Sequence, residues 1–187
     1  MKNITFGLVV GTRGFFPASL AEKGRAAMIA KLEEKGYEVL IAPEEATPYG
    51  AVETVEDAQV YIDLFRSNYK KIDGVIVTLP NFGDELGIAQ VLEGAALSVP
   101  ILIHAFDDKI AEMDMPRRRD SFCGKISVCN NLYQRNIPFT NTTLHTCDPS
   151  NPEFEADLDR FARICSVVSG LKGARLGALG QRPDPFN

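Results

Sequence analysis

The sequence has few residues of the kinds that bind zinc or build disulfide frameworks. Its 187 residues include only four cysteines and two histidines. The cysteines, at positions 123, 129, 147 and 165, form no Cys-x-x-Cys pair, and the histidines, at 104 and 145, have no partner at i+4. This spacing excludes the common zinc motifs and suggests no disulfide framework, so we expect buried free thiols.

Long apolar runs and clustered positive charge are also missing. No stretch approaches 18 apolar residues, and the amino terminus enters a strand-like segment without the regions of a signal peptide. The formal net charge is −5, and the one basic run is Arg117–Arg119, which is typical of a solvated surface. Because nucleic acids and anionic membranes attract clustered cations, we expect neither as the main partner, and we predict a cytoplasmic protein.

Motifs for nucleotide binding and for serine nucleophiles are absent as well. The first glycine-bearing loop reads Gly11-Thr12-Arg13-Gly14, which matches neither Gly-x-Gly-x-x-Gly nor a Walker phosphate loop. The segment around Ser121 lacks the Gly-x-Ser-x-Gly frame of a nucleophile elbow. The loop sequence therefore argues against a nucleotide ligand, and Ser121 is not predicted to be a nucleophile.

What the chain does contain is a regular alternation of strand and helix patterns. Its composition, 45% hydrophobic and 24% charged, is that of a globular domain. Apolar strand-like segments lie at 4–10, 37–42, 74–79, 100–106 and 139–144, and a helical pattern follows each. Such alternation favours right-handed crossovers and a mostly parallel sheet covered on both faces. We predict an α/β fold: a doubly wound sheet of five or six strands with a flavodoxin-like three-layer architecture.

The end of the chain is predicted to lead into a further domain. Arg175–Gly180 has the pattern of a strand, and the polar tail 181–187 follows it. Ligands of open α/β sheets bind beyond the carboxyl ends of the strands, so a polar tail there resembles a linker or half of a site. We therefore expect a single domain over residues 1–180, with 181–187 starting a linker in a longer protein.

The loops that follow the strands hold the candidate binding residues. Arg13, in the first loop, offers a guanidinium fork suited to hydroxyl-rich or anionic ligands. The alternative is a plain turn that carries a surface arginine. In the third loop, Asn81, Phe82 and Asp84 combine an amide, an aromatic face and a carboxylate, a set that reads sugars. The alternative is that Asn81 or Asp84 is the N-terminal cap of a helix, with Asp84 and Glu85 as acids favoured in its first turn.

Two later positions are candidates with strong structural alternatives. His104 ends a predicted strand, and is either a ligand or acid–base group or, more simply, a histidine satisfied at the sheet edge. Lys125 begins a predicted helix and either reaches the same edge or is a surface lysine. The neighbouring Cys123 and Cys129 are expected to be buried structural thiols rather than nucleophiles.

Several segments together resemble a known family. They are Gly11–Gly14, Leu79–Glu85, Pro100–His104, Cys123–Lys125 and, most specifically, Ala174–Asn187 with its Gly-x-Arg-Pro-x-x-Phe-Asn pattern. In these the chain resembles the amino-terminal region of the L-fucose isomerase-like family, which includes L-arabinose isomerases. The resemblance spans the whole chain but only part of a family member.

The resemblance implies an aldose–ketose isomerase that works through an enediol with a divalent metal, usually Mn²⁺. It implies a monosaccharide substrate, a homo-trimer or homo-hexamer, and strand-end loops that cover the sugar site of a neighbouring subunit. Arg13, Asn81, Phe82 and Asp84 would contact the sugar, with His104 or Lys125 in support. The ligands of the Mn²⁺ would come from later domains, so no metal ligand and no catalytic residue is expected in these 187 residues.

Two other functions remain open from the residues alone. One is a stand-alone flavodoxin-like or sugar-binding-protein-like module that binds a small ligand without catalysis. The first loop lacks the Ser/Thr-rich phosphate cradle of flavin mononucleotide proteins, which argues against the flavin version. The other is an oligomerisation domain whose polar loops meet another subunit.

Overall fold

Five short apolar segments form the central sheet of the protein. The computed structural model describes residues 3–177, 179 and 180, and within them the strands are β1 (Thr5–Val10), β2 (Glu38–Leu40), β3 (Gly74–Leu79), β4 (Ile101–Ala105) and β5 (Thr140–Asn141). The α-helices are α1 (Ala18–Glu34), α2 (Val55–Ser67), α3 (Glu85–Ala95), α4 (Ser121–Gln134) and α5 (Pro152–Gly173). All strand pairs are parallel, in the order β2-β1-β3-β4-β5.

The three central strands are buried on both faces, which explains their continuous apolar sequences. Every residue of β1, β3 and β4 is buried. Tyr61 and Phe65 of α2 belong to the core on one face, with α3 and α4. Met28 of α1 and Phe154 and Phe161 of α5 belong to the core on the other. This three-layer arrangement, in the flavodoxin-like strand order, confirms the predicted fold class.

Local capping residues mark the starts of α2, α3 and α5. Thr54 and Asp57 form a capping box at the start of α2, and Asn151 accepts from the backbone N–H of Glu153 ahead of α5. Pro152 occupies the first turn of α5, where no backbone donor is needed. The starts of α2 and α5 therefore depend on local side-chain chemistry, whereas α1 begins after Pro17 without a side-chain cap.

Two expectations about the fold are wrong. The segment 175–177 has no strand, and neither do residues 179 and 180; α5 continues to Gly173, and these described residues do not pair with the sheet. The predicted linker at 181–187 lies outside the described residues. Cys123 is exposed rather than buried, since it lies on the outward face of α4, whereas Cys147 and Cys165 are buried as expected. No helix in the described part of the chain is long and apolar enough to cross a membrane.

One glycine sets the distance between α4 and the loop that follows β3. A Cβ built on Gly124 would overlap the backbone carbonyl of Phe82. The loop and the first turn of α4 therefore touch through main-chain atoms, and the loop cannot move toward the helix. Gly170, in α5, has nothing within 4 Å of such a Cβ.

We expect the substitution Gly124→Ala to destabilise the protein, because the new methyl group meets rigid backbone rather than a flexible side chain. The cost should be about 1–3 kcal/mol of unfolding free energy, as for other overpacked sites. Gly170→Ala is the matched control and should leave stability unchanged or higher, since alanine favours a helix. Chemical denaturation of both variants tests this, and equal stability of the two would contradict the close contact.

Candidate functional site

The strand order places two loops on either side of a crevice. From β1 the chain moves to one edge of the sheet to form β2, and from β3 it moves the other way to β4. The loops after β1 and β3 therefore diverge at the carboxyl ends of neighbouring strands, which is where ligands of open α/β sheets bind. Arg13 lies in the first loop, and Asn81, Phe82 and Asp84 lie in the second.

Arg13 connects the two loops through charge and through an aromatic ring. Its Nη2 donates to Glu85 Oε2 in a short ion pair and lies 3.7 Å from Asp84 Oδ2. Its guanidinium carbon lies 4.6 Å from the centroid of the Phe82 ring. These contacts hold the Arg13 side chain in one place. It is 35% exposed and is therefore still accessible to a ligand.

Phe82 belongs to a small aromatic surface that sequence reasoning did not identify in full. Its ring stacks with that of Phe16 at 6.3 Å between centroids and 18° between planes, and Phe15 contacts Phe16 edge to face. Phe15 is 67% exposed. The two adjacent phenylalanines after Arg13 are the sequence signal for this surface. Aromatic faces beside polar groups are suited to packing on the carbon face of a sugar.

Asn81 lies beneath this surface and is completely buried. Its Nδ2 donates to Thr12 Oγ1 at 2.9 Å, and its Oδ1 accepts from the Gly83 backbone N–H at 3.0 Å. Both ends of the amide are therefore occupied inside the protein. The structure places Asn81 as the tie between the loops after β1 and β3, directly below Arg13 and Phe82.

Asp84 combines the two readings that its position allowed. Its Oδ1 accepts from the Gly87 backbone N–H at 2.6 Å, so it is the N-terminal cap of α3. Its other oxygen faces Arg13 across the crevice. Both Asp84 and Glu85 have side chains 23% exposed. The cap therefore also contributes negative charge to the site.

The loop after β4 is tied to α4 and to the loop after β3. Asp108 accepts from the backbone N–H groups of Ser121 at 3.1 Å and Phe122 at 2.9 Å, so a distant carboxylate caps α4. Arg119 donates to the carbonyl of Pro80 at 2.6 Å and lies over the Phe106 ring at 5.3 Å. The basic run 117–119 thus includes one residue that supports the site.

Lys125 is buried, contrary to the reading as a surface lysine. Only 4% of the residue is exposed, and its Nζ donates to Thr142 Oγ1 at 2.7 Å and to the His145 carbonyl at 3.0 Å. Burial lowers the pKa of the Lys125 ammonium, because the charged form loses its water. Lys125 therefore holds the loop after β5. That loop carries the exposed His145, whose ring lies 5.4 Å from the ring of Phe122.

His104 is fully buried inside the sheet edge. Its Nε2 lies 2.8 Å from the carbonyl of Cys147, which can only accept, so this nitrogen carries the proton. Its Nδ1 lies 2.9 Å from Thr78 Oγ1 and accepts from that hydroxyl. Burial lowers the pKa of His104 to about 3, and the ring is neutral at ordinary pH. The structure places His104 as a support beneath the loop after β5.

Two open cavities lie at the opposite edge of the sheet. They have volumes of about 520 and 690 Å³ and lie beside the start of β4 and the end of α3. Arg66 and Lys172, which border the first, are in the last turns of α2 and α5. Cations at helix carboxyl ends satisfy the helix dipole, which explains the charge there without a ligand. We place the candidate site at the carboxyl edge, where topology and the predicted residues coincide.

The described residues do not fit a manganese site. Among residues 3–177, 179 and 180, no group of three or more His, Cys, Asp or Glu side chains is arranged to hold a metal ion. Asp84 and Glu85 face a guanidinium, and both nitrogens of His104 are occupied within the protein. A metal bound at this edge would need ligands from elsewhere.

Comparison with known proteins identifies one family. The family described as "Fucose/sulfoquinovose isomerase, N-terminal domain" matches residues 7–172, which run from within β1 to the last turn of α5. A comparison with curated proteins gave no match.

The buried neutral His104 should make stability depend on pH. The unfolded chain binds a proton at His104 near pH 6.5, whereas the folded protein does so only near pH 3. This contribution to stability is complete above pH 6.5 and is lost as pH falls toward 3, by at most about 1.4 kcal/mol per pH unit. Urea denaturation from pH 7 to 4.5 should show a shallower slope for His104→Gln than for the wild type.

A second measurement does not depend on that variant folding. In nitrogen-detected imidazole NMR of the wild type, the His104 ring should stay in the Nε2–H form from pH 7 to 5. A ring that becomes doubly protonated within this range would contradict the assignment.

Proposed function

The chain belongs to the family of fucose/sulfoquinovose isomerase N-terminal domains, and on this basis we propose that it is the substrate-covering and assembly domain of an aldose–ketose isomerase. The whole protein would interconvert an aldose and a ketose through an enediol, as a cytoplasmic homo-trimer or homo-hexamer. The proposal is carried by one observation. An accessible arginine, an aromatic face and two carboxylates meet at the topological switch point of the sheet.

The exposed residues of this edge would contact the sugar. Arg13 would donate to sugar hydroxyls, because its guanidinium is fixed by Glu85 and remains 35% exposed. Phe82 would pack on the carbon face of the sugar, with Phe16 behind it. Asp84 and Glu85 would accept from hydroxyl groups. These contacts bind and orient the sugar and exclude water from one side of it.

The buried residues would act through the loops they hold. Asn81 fixes the loop of Arg13 against the loop of Phe82. His104 and Lys125 each bind a carbonyl of the loop after β5, at Cys147 and His145. We assign all three as positioning residues rather than as direct sugar contacts.

The divalent metal that the family resemblance implies would be held by residues outside this chain. Its chemistry, when bound, is the polarisation of the sugar's carbonyl and hydroxyl oxygens. The residues described here would bring the sugar's opposite side into place. No proton transfer is assigned to any of them.

A stand-alone binding module is the second candidate function. The flavodoxin-like strand order is itself suited to small ligands that bind without chemistry. Intact mass and elemental analysis of the natural gene product distinguish the two. A mass well above 20.5 kDa with roughly one manganese per subunit supports the isomerase, whereas a metal-free 20.5 kDa product supports the module.

Substitution of Arg13 by alanine should impair sugar turnover by the full-length protein. Loss of a charged hydrogen bond to the sugar should lower kcat/KM by about 10–100-fold. The matched control is Arg135→Ala, which removes an arginine paired with Glu93 between α4 and α3. Steady-state kinetics and native mass spectrometry should show lost turnover without lost assembly. Intact kinetics with broken oligomers would instead support a purely oligomerising domain.

The isolated chain, residues 1–187, should not isomerise aldoses even when manganese is supplied. The described residues hold no set of metal-binding side chains, so the reacting carbons would have no catalytic group beside them. The test is a ketose-specific assay of the purified chain with L-fucose and L-arabinose, with full-length protein as the positive control. Turnover by the isolated chain well above the protein-free rate would refute the assignment as a covering domain.

A further inference from the structure

The family description names two sugars that differ in charge. Fucose is an uncharged 6-deoxyhexose, whereas sulfoquinovose carries a sulfonate on its sixth carbon. From the contacts of Arg13, we infer that this chain selects uncharged sugars, and that Glu85, assisted by Asp84, is the residue that rejects a sulfonate. The inference rests on the proposed function, since it concerns the same sugar-binding edge.

The guanidinium that would attract a sulfonate already has anionic partners. Arg13 Nη2 is bound by Glu85 Oε2, and Asp84 Oδ2 lies 3.7 Å from the same nitrogen. Arginine binds sulfonates and carboxylates with the same fork of N–H donors, so a sulfonate would have to displace Glu85 or share its donor. Two carboxylates beside one guanidinium leave this part of the crevice with excess negative charge.

Neighbouring charges add to that excess. The carboxylate of Glu53 lies against the Gly14 backbone in the loop of Arg13. Asp107 follows β4 at the same edge and accepts from Thr146 Oγ1 at 3.1 Å. The described cations of the loop after β4 already have partners. Arg119 donates to the Pro80 carbonyl, and the others pair with carboxylates: Arg117 with Asp114, Arg118 with Asp120, and Lys109 with Asp148 at 4.0 Å. Lys125 of α4 is buried. Among the described residues, a sulfonate entering beside Arg13 would therefore meet carboxylates, and cations that already have partners, and such like-charge contact is a common means of specificity.

Hydrogen-bond chemistry points the same way. Sulfonate oxygens only accept, and so do the carboxylates of Asp84 and Glu85. A sugar hydroxyl both donates and accepts, so it can bridge Arg13 and Glu85, which present a donor and an acceptor side by side. An uncharged sugar satisfies both members of the pair, whereas a sulfonate offers no donor to the Glu85 carboxylate.

The test compares two sugars that differ only in the sulfonate, quinovose and sulfoquinovose. Each sugar is tested with the full-length protein, either as a substrate or as a competitive inhibitor of the isomerisation of the best aldose substrate. At low ionic strength, quinovose should be favoured by roughly tenfold or more. The isosteric variant Glu85→Gln should narrow that preference severalfold, since it removes the charge and keeps the shape.

Glu93→Gln is the matched control. It also removes one negative charge and one ion pair with an arginine, Arg135, but far from the carboxyl edge of the sheet. It should keep the wild-type preference. In the wild type the preference should also shrink as salt rises to 0.5 M, since salt screens exposed charges. This measurement needs no variant. Preference for sulfoquinovose, or a preference unaltered by both Glu85→Gln and salt, would overturn the inference.

Failure of the inference and failure of the proposed function give different results. If sulfoquinovose is isomerised best, the isomerase assignment stands and the inferred rejection of a sulfonate by Glu85 is wrong. If no sugar is isomerised, the isomerase assignment fails. Saturation-transfer NMR with the same two sugars then tests whether the site rejects a sulfonate. Stronger binding of quinovose would support it, and equal or stronger binding of sulfoquinovose would overturn it.

Discussion

The buried amide of Asn81 is the interaction on which the candidate site depends. It binds Thr12 in the loop after β1 and Gly83 in its own loop, at a point with no exposure to water. A buried amide left unpaired costs about 1–3 kcal/mol, so the two loops are held together as one unit. The stacking of Arg13 on Phe82 follows from this tie, because each residue is adjacent to one of its ends.

The polar residues of the candidate site fall into two groups, those that hold the loops in place and those that remain accessible to a ligand. The polar groups deepest at the carboxyl edge, Asn81, His104 and Lys125, spend their hydrogen bonds on neighbouring loops. The groups above them, Arg13 and Phe82, remain accessible. Such a division favours recognition, since the exposed side chains are fixed by backbone that cannot shift without breaking buried hydrogen bonds.

The fold was predictable because its signals are local, whereas much of the site was not. Continuous apolar strands and the caps of α2, α3 and α5 depend on neighbours along the chain, and the alternation alone implied a parallel sheet. The ion pair of Arg13 and Glu85 joins residues 72 positions apart, and only the strand order brings them together. Lys125 is buried by a loop 17 to 20 residues downstream, which no helical pattern reveals. The strand predicted at 175–180 is wrong for a similar reason. Its apolar pattern does not tell whether a strand of the sheet lies close enough to pair with it.

The charge of Arg13 shows why a residue type alone is a poor guide to its ligand. An exposed arginine in a strand-end loop is equally consistent with an anion and with a hydroxyl-rich ligand. What decides between them is whether its fork is already occupied. Here Glu85 and Asp84 outweigh the charge of Arg13 and place acceptors beside its Nη2 donor, which is why the proposed ligand is hydroxyl-rich rather than anionic. The same residue without its carboxylates would define a different site. The two carboxylates stand at the start of α3, where Asp84 is the N-terminal cap and Glu85 is an acidic residue of the first turn. Residues favoured at a helix start therefore also set the electrostatic character of the candidate site.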